Sequence, residues 1–474
     1  MAPVPPQAFF ASLTNARQKK ILTFISQPEV RMNSKSVMAI CLSCAVAVAI
    51  PTFSRADDAS APPPAPTPPP TDYKQLYEEQ KKRSDDLEKR IGLLEQHATQ
   101  DLYVVKADVP DNTVKFLKQV DISGFVSSSY TYNFNRPADR VNAGRLYDNE
   151  SDQFMFNKFA LIAQHNVDYD AFDWKAGFFT ELILGQDARG TRSKSPDTPT
   201  GLFDIGSDGD LEQAYVQLNI PIGSGLKILF GKYVTPMGFE LVENEQNPNW
   251  SGGLQWTFIE PFTHTGLQLG YKISNEWEAN LLINDGWDTV KDNNQSKSVM
   301  GRLAYTPNDA WSFTLIGYGG PEQSDLQNDP TNAVVGANGL WRKGVNFVLT
   351  HKCSPKCSST IQLDWGEESG GAPNGGAASW YAIGAWTTYD FTEKLQLAFR
   401  SDFLSDRDGN RTSGFLFPVN TGQDLWSLTW TLNYKPVDGL RIAPELRYDH
   451  SSLSTAFDGH HDQVTAALGA VYSF

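Results

Sequence analysis

The chain closes with Gln463-Val464-Thr465-Ala466-Ala467-Leu468-Gly469-Ala470-Val471-Tyr472-Ser473-Phe474. Val464, Ala466, Leu468, Ala470, Tyr472 and Phe474 fall on one side of an extended segment. Gln463, Thr465, Ala467, Gly469 and Ser473 fall on the other. Successive side chains of a strand point to opposite faces, so this is a strand with one greasy side. The same alternation recurs upstream in Phe172-Trp174-Ala176-Phe178, Trp277-Ala279-Leu281-Ile283, Trp311-Phe313-Leu315, Leu395-Leu397-Phe399, Trp426-Leu428-Trp430-Leu432-Tyr434 and Leu440-Ile442-Leu446-Tyr448. A soluble sandwich also alternates, but it buries its apolar face between sheets. Aromatic residues clustered near strand ends favour contact with lipid.

Composition agrees with this reading. The 474 residues are 40% apolar, 12% aromatic and 20% charged, with 37 Gly, 12 Trp, 17 Tyr and 27 Phe. Mean hydropathy is −0.39, too hydrophilic for a bundle of spanning helices. The one conspicuous apolar run, Val37 to Ile50, is shorter than the ~20 residues a spanning helix needs. A net charge of −15 from 40 basic and 55 acidic residues gives no attraction for a phosphate backbone, so nucleic acid is not an expected partner.

Connection lengths provide an independent argument. Short turns are expected at Asp170-Ala171, Pro221 to Ser224, Ser274-Asn275, Pro307 to Asp309, Lys352 to Ser358, Asp390 to Glu393 and Pro436 to Asp438. Between them lie long polar segments at 135–152, 185–210, 236–262, 285–296, 319–340, 367–378, 404–423 and 450–460. Seven turns alternating with eight loops require sixteen strands, with both ends of the barrel on the periplasmic side. The predicted fold is all-β: a transmembrane antiparallel up-and-down β-barrel over residues 120–474, large enough to hold water.

Ahead of the barrel the organisation changes. Residues 32–56 read as a signal peptide, with Arg31 and Lys35 before the apolar run and Ser54-Arg55-Ala56 at the cleavage site. A short membrane anchor is the other reading of that run. Met32 is then the expected start, and 1–31 an upstream extension. Cys41 and Cys44 fall inside the signal and lack the Leu three positions earlier that a lipoprotein requires. Residues 57–72 form a Pro-rich linker. Residues 73–99 carry Tyr73, Tyr77, Gln80, Ser84, Leu87, Ile91 and Leu94 at heptad-like spacing and predict a short periplasmic coiled-coil helix. An isolated helix of that length is marginal in water, so either several copies associate, as a homotrimer, or the helix rests on something else such as the cell wall; the plainer reading is a solvated spacer between cell wall and membrane.

Several barrel stretches then carry a family likeness: Gly124-Phe125-Val126, Tyr130 through Phe134, Asp148-Asn149-Glu150, Gln213-Ala214-Tyr215-Val216, Gly231-Lys232, Gly238-Phe239-Glu240, Glu260 through Gly266, and Asn284 through Asp288. In their order they resemble the putative beta-barrel porin-2 (OmpL-like) family over about 120–474. The resemblance implies an outer-membrane porin in contact with lipid, small solutes and ions, with no catalytic residues and no cofactor. The terminal Phe474 resembles the signal such barrels present to the outer-membrane assembly machinery.

With the greasy face toward lipid, the opposite face lines the pore. The expected lining set is Lys158, Lys175, Glu181, Arg302, Arg400, Asp402, Arg441, Glu445 and Arg447, because Arg or Lys on the lipid side at mid-depth costs roughly 2 to 4 kcal/mol. In general porins, to which this topology is similar, the third loop folds inward. Here that loop carries Glu240, Glu243, Glu245 and Glu260, which are expected to form a constriction facing arginines drawn from Arg302, Arg400, Arg441 and Arg447; the other reading leaves the loop outside with its carboxylates hydrated. Cys353 and Cys357 are a local disulfide or two free thiols; with His351 nearby, a metal site is the lesser alternative. Asp208-Gly209-Asp210 is too short a signal to define a calcium site. An enzyme finds no support, since the seven His are scattered and no G-x-S-x-G elbow accompanies them. The alternative to a porin is an outer-membrane anchor whose N-terminal helix tethers cell wall or a periplasmic partner.

Overall fold

A computed structural model describes residues 118–193, 208–329, 331–414, 416–417 and 421–474, with eight exposed helical positions between Glu78 and Arg90. The signal peptide, the Pro-rich linker and the heptad positions lie outside the described residues.

Among the described residues the chain forms a closed barrel of sixteen antiparallel strands, each paired with its neighbours in sequence. They are β1 Asp121–Asn133, β2 Gln153–His165, β3 Lys175–Leu184, β4 Gly209–Ile220, β5 Leu226–Val234, β6 Thr263–Lys272, β7 Trp277–Asn284 and β8 Ser298–Asn308. They continue as β9 Trp311–Pro321, β10 Trp341–Ser354, β11 Cys357–Glu368, β12 Ala378–Thr392, β13 Leu395–Asp406, β14 Gln423–Tyr434, β15 Leu440–Ser451 and β16 Asp462–Ser473. The barrel closes where β16 pairs with β1, from Phe125 opposite Ser473 to Asn133 opposite Thr465. At that seam the Gly124 and Phe474 backbones exchange two hydrogen bonds of 2.9 and 3.0 Å. Closure leaves no unpaired strand edge, the condition for β-structure in hydrocarbon.

The period-two pattern explains which side faces which solvent. In β14, Leu425, Ser427, Thr429, Thr431 and Asn433 are buried, while Trp426, Leu428, Trp430, Leu432 and Tyr434 point outward. Across the barrel the usual distribution is inverted. Phe154 is 87% exposed, Phe230 65% and Leu468 54%, whereas Lys158 and Arg400 are 0% exposed. Such an outside is stable against lipid and such an inside against water or polar chain. Aromatic rings gather at both rims. Trp277 stacks on Tyr305 and Trp311 on His351 at the short-turn end. Tyr130 meets Phe154, and Trp426 meets Tyr448, at the long-loop end.

One expected strand start moves. Phe172 and Trp174 continue the alternation into β3, yet they lie outside the strand and are exposed. The Asp170 carboxylate accepts hydrogen bonds from the Phe172 and Asp173 backbone N–H groups, 2.8 and 3.2 Å, which holds this stretch in a turn. Lys175 consequently sits at the short-turn rim in a 2.7 Å ion pair with Asp170.

Two bulges shape the interior. Asn157 is the extra residue opposite Ser127 and Ser128, and Glu212 the extra residue opposite Glu181 and Leu182. A bulge re-aims neighbouring side chains. Both lie where the third long loop meets the wall.

Candidate functional site: a loop folded into the lumen

The connection 235–262, loop 3, is the longest between strands. It turns inward at Gly238, whose φ of +89° suits glycine, and where a side chain would collide with the Glu260 carboxylate. Its interior contains a 3-10 turn at Asn244–Gln246 and the short helix α1, Leu254–Phe258. Trp250, Trp256 and Phe258 are fully buried. Trp250 lies on Gly469, where a Cβ would stand 2.2 Å from the indole.

Polar contacts hold the loop to one wall. Strand pairing places Trp386, Arg400, Thr429, Arg447 and Thr465 in one circumferential row across β12 to β16. Arg400 donates to Glu240 at 2.6 Å and to the Ser251 carbonyl at 2.6 Å. The second Glu240 oxygen accepts from the Gly253 N–H at 2.6 Å. Glu445 accepts from the Trp250 N–H at 2.7 Å and from the Ser251 hydroxyl at 2.5 Å. Arg447 donates to the Gly252 carbonyl at 2.6 Å, and Arg441 to the Asn247 carbonyl at 2.6 Å. Asp402 accepts the Leu254 N–H at 2.8 Å and a hydrogen bond from Ser427. Burying a charge is costly unless hydrogen bonds or a counter-charge compensate it: each of these groups is hydrogen-bonded, and Arg400 is also ion-paired with Glu240 and Asp402, and Arg447 with Asp449.

The other loop carboxylates go elsewhere. Glu243 reaches the β3–β4 wall, where the Gln213 amide donates to it at 2.9 Å and to Glu181 at 2.8 Å. Lys158 stands 3.7 Å from Glu212 and donates to the Val242 carbonyl at 3.2 Å. Burial, reinforced by the Glu212 charge and opposed by Lys158, pushes the Glu243 carboxyl up to about 7. Glu260 accepts from Gln362 at 2.5 Å, and burial followed by the nearby Asp364 holds its carboxyl well above the ordinary range. Glu245 is half-buried and accepts from Gln246 at 3.1 Å; burial raises its carboxyl too.

The expected arrangement, four glutamates opposing arginines across a gap, is therefore replaced by direct contact. Only Glu240 forms an ion pair with the arginine wall. Arg302 lies apart on β8, bonded to Glu278 and Asn280 at 3.2 and 2.9 Å. The reason is geometric: strand pairing brings β13 and β15 under residues 240–254, and β3–β4 under residue 243. Residues the sequence reading left out complete the site. Gln362 and Asp364 sit on the inward parity of β11, a signal that period two carries. Arg145 comes from the first long loop, paired with Asp148 at 2.7 Å and Asp449 at 2.6 Å, and no periodicity marks it.

Cys353 and Cys357 face each other across the β10–β11 turn as two thiols, Sγ to Sγ 2.7 Å. Among the described residues no cluster of three or more His, Cys, Asp or Glu is arranged to hold a metal ion.

A sixteen-strand barrel with an oily exterior, a polar interior and an inward-folded third loop defines an outer-membrane channel of the porin type. Residues 119–474 match the model of the family described as putative beta-barrel porin-2, OmpL-like, and the chain belongs to that family. No match is found among curated proteins. Similar solved structures include OprB of Pseudomonas putida at high pH, at 12% identity and a TM-score of 0.49, covering 77% of this chain and 96% of that one. The outer membrane channel DcaP of Acinetobacter baumannii is similar at 14% identity and a TM-score of 0.48, covering 75% and 97%. An anion-selective porin from Comamonas acidovorans is similar at 11% and 0.48, covering 75% and 99%.

Proposed function

We propose that the barrel passes small hydrophilic solutes and ions by passive diffusion, with loop 3 narrowing the lumen from one side. The observation that supports this reading is the one-sided docking of the loop. The row from Trp386 to Thr465 is sealed beneath it. On the opposite wall the inward positions Gln268, Glu278, Arg302, Thr314 and Thr350 remain partly exposed. A polar face left open beside a pinned loop is a water-lined passage, whose charges screen solutes by size and sign. The pore-lining and constriction roles belong to this proposal: Glu181, Arg400, Asp402, Arg441, Glu445 and Arg447 position the loop, and Arg302 lines the passage.

The N-terminal organisation follows as part of it. Residues 32–56 direct export, 57–72 space the barrel from a periplasmic helix at 73–99, and that helix associates with those of two further copies. The seam residue Phe474 is the element presented to the assembly machinery. The test is reconstitution of the mature chain in planar bilayers. Stepwise ohmic currents are expected; a heat-modifiable, folded barrel that passes no ions overturns the proposal and leaves the tether.

A further inference from the structure

At the long-loop end, beyond the contacts of loop 3 just described, two guanidinium groups share one indole. Arg342, the second residue of β10, lies with its Cζ 4.8 Å from the Trp287 ring centre. Arg411, in the loop between β13 and β14, lies 5.5 Å from the same ring and 5.5 Å from that of Trp380. Tyr318 packs on Trp287 with ring centres 5.1 Å apart. The Arg411 Nε donates to the Phe258 carbonyl of α1 at 2.9 Å, which fixes the side chain.

The two arginines differ in what they hold. Arg342 is satisfied, with Nε and Nη2 on Glu368 at 3.2 and 2.8 Å. Arg411 makes no ion pair among the described residues, and its two Nη groups meet no acceptor there. The carboxylates around it are committed. Glu368, whose charge acts on Arg411, is held by the Arg342 fork at 3.2 and 2.8 Å. Asp406 accepts three backbone N–H groups, those of Asn410, Arg411 and Thr412. Burial, reinforced by Arg342, pulls the Arg411 guanidinium down to about 10, the response of a cation short of a counter-charge.

We propose that Arg411, seconded by Arg342 and walled by Trp287 and Trp380, is a capture site for small oxyanions, carboxylate or phosphate, at the external mouth of the channel. The Nη pair, which meets no acceptor among the described residues, has the planar spacing that receives two oxygens of one carboxylate or phosphate. The indoles hold the fork by cation–π contact and thin the water around it, which strengthens the attraction. Its position beside the open wall of β7–β10 places it on the way in. The consequence for transport rests on the channel reading; binding does not.

The test is calorimetric titration of the folded full-length barrel with citrate, with inorganic phosphate and with glucose, at matched ionic strength. Saturable binding of citrate or phosphate, but not glucose, is expected, and the stronger of the two names the source. Arg411→Gln should weaken it about tenfold or more, and Arg411→Lys, which keeps the charge but not the fork, should fall between. Heat-modifiable gel mobility verifies that each variant is folded, and Arg411→Lys alone decides if Arg411→Gln does not assemble. Oxyanion binding by a barrel that carries no current sinks the channel reading and keeps the site. Current without saturable binding, or binding unchanged in both variants, overturns the site and keeps the channel.

Discussion

Replacing Arg400 by Gln removes the cation that joins loop 3 to the wall. Arg400 holds Glu240 at 2.6 Å, the Ser251 carbonyl at 2.6 Å and the Thr429 hydroxyl at 3.1 Å, and it lies 3.4 Å from Asp402. Its loss leaves two buried carboxylates without their cation. Breaking a buried pair by removing one partner costs about 3 to 5 kcal/mol. Since each 1.4 kcal/mol is tenfold, the docking equilibrium of the segment around Gly253 and Leu254 should shift by about a hundred- to several thousandfold. The barrel itself should survive, because the backbone pairing of residue 400 with Trp386 and Thr429 does not depend on the side chain. Loop 3 should also stay attached at Trp250 and Ser251 through Glu445. The expected result in single-channel recording is a larger, noisier conductance with normal heat-modifiable mobility. The double variant Arg400→Gln/Glu240→Gln should lie closer to the parent than Arg400→Gln alone, since one stranded carboxylate is gone. A conductance and ion selectivity identical to the parent in Arg400→Gln would refute the idea that this pair holds the constriction.

Three further outcomes are expected. The Glu243 carboxyl titrates at about 7 when docked, against an ordinary 4.5. The docked loop therefore binds more protons than the released loop between those values, so docking weakens as pH rises from about 4.5 to 7 and stays weaker above. Open-channel noise should increase from pH 5 to pH 8 in the parent and lose that dependence in Glu243→Gln. Gly469→Val should push Trp250 off the wall, since even a Cβ stands 2.2 Å from the ring, and conductance should rise while the barrel still assembles. Cys353 and Cys357 should be joined in the exported protein, with mass spectrometry without reductant showing the loss of two hydrogens; Cys353→Ser should leave barrel mobility unchanged because the pair sits in an exposed turn.

Legibility followed the range of the interaction. Trp426 through Tyr434 in alternation announce a two-faced strand because neighbouring Cβ atoms must diverge, and that signal needs no partner. Turn and loop lengths likewise are local, which is why sixteen strands and the inward parity of Arg400, Asp402, Glu445 and Arg447 could be read from the chain. The misplaced start of β3 marks the limit: Phe172 and Trp174 keep the beat, but the Asp170 side chain captures the backbone and stops the strand. Glu240, Glu243 and Glu260 look equivalent along the sequence. Their fates differ because the barrel brings Arg400, Gln213 and Gln362 to them from 160, 30 and 102 residues away. Side-chain alternation dictated by the pleat was thus determined by the sequence alone. Which wall receives the third loop was decided only by closure of the barrel, because closure alone sets which distant side chains share one level of the lumen.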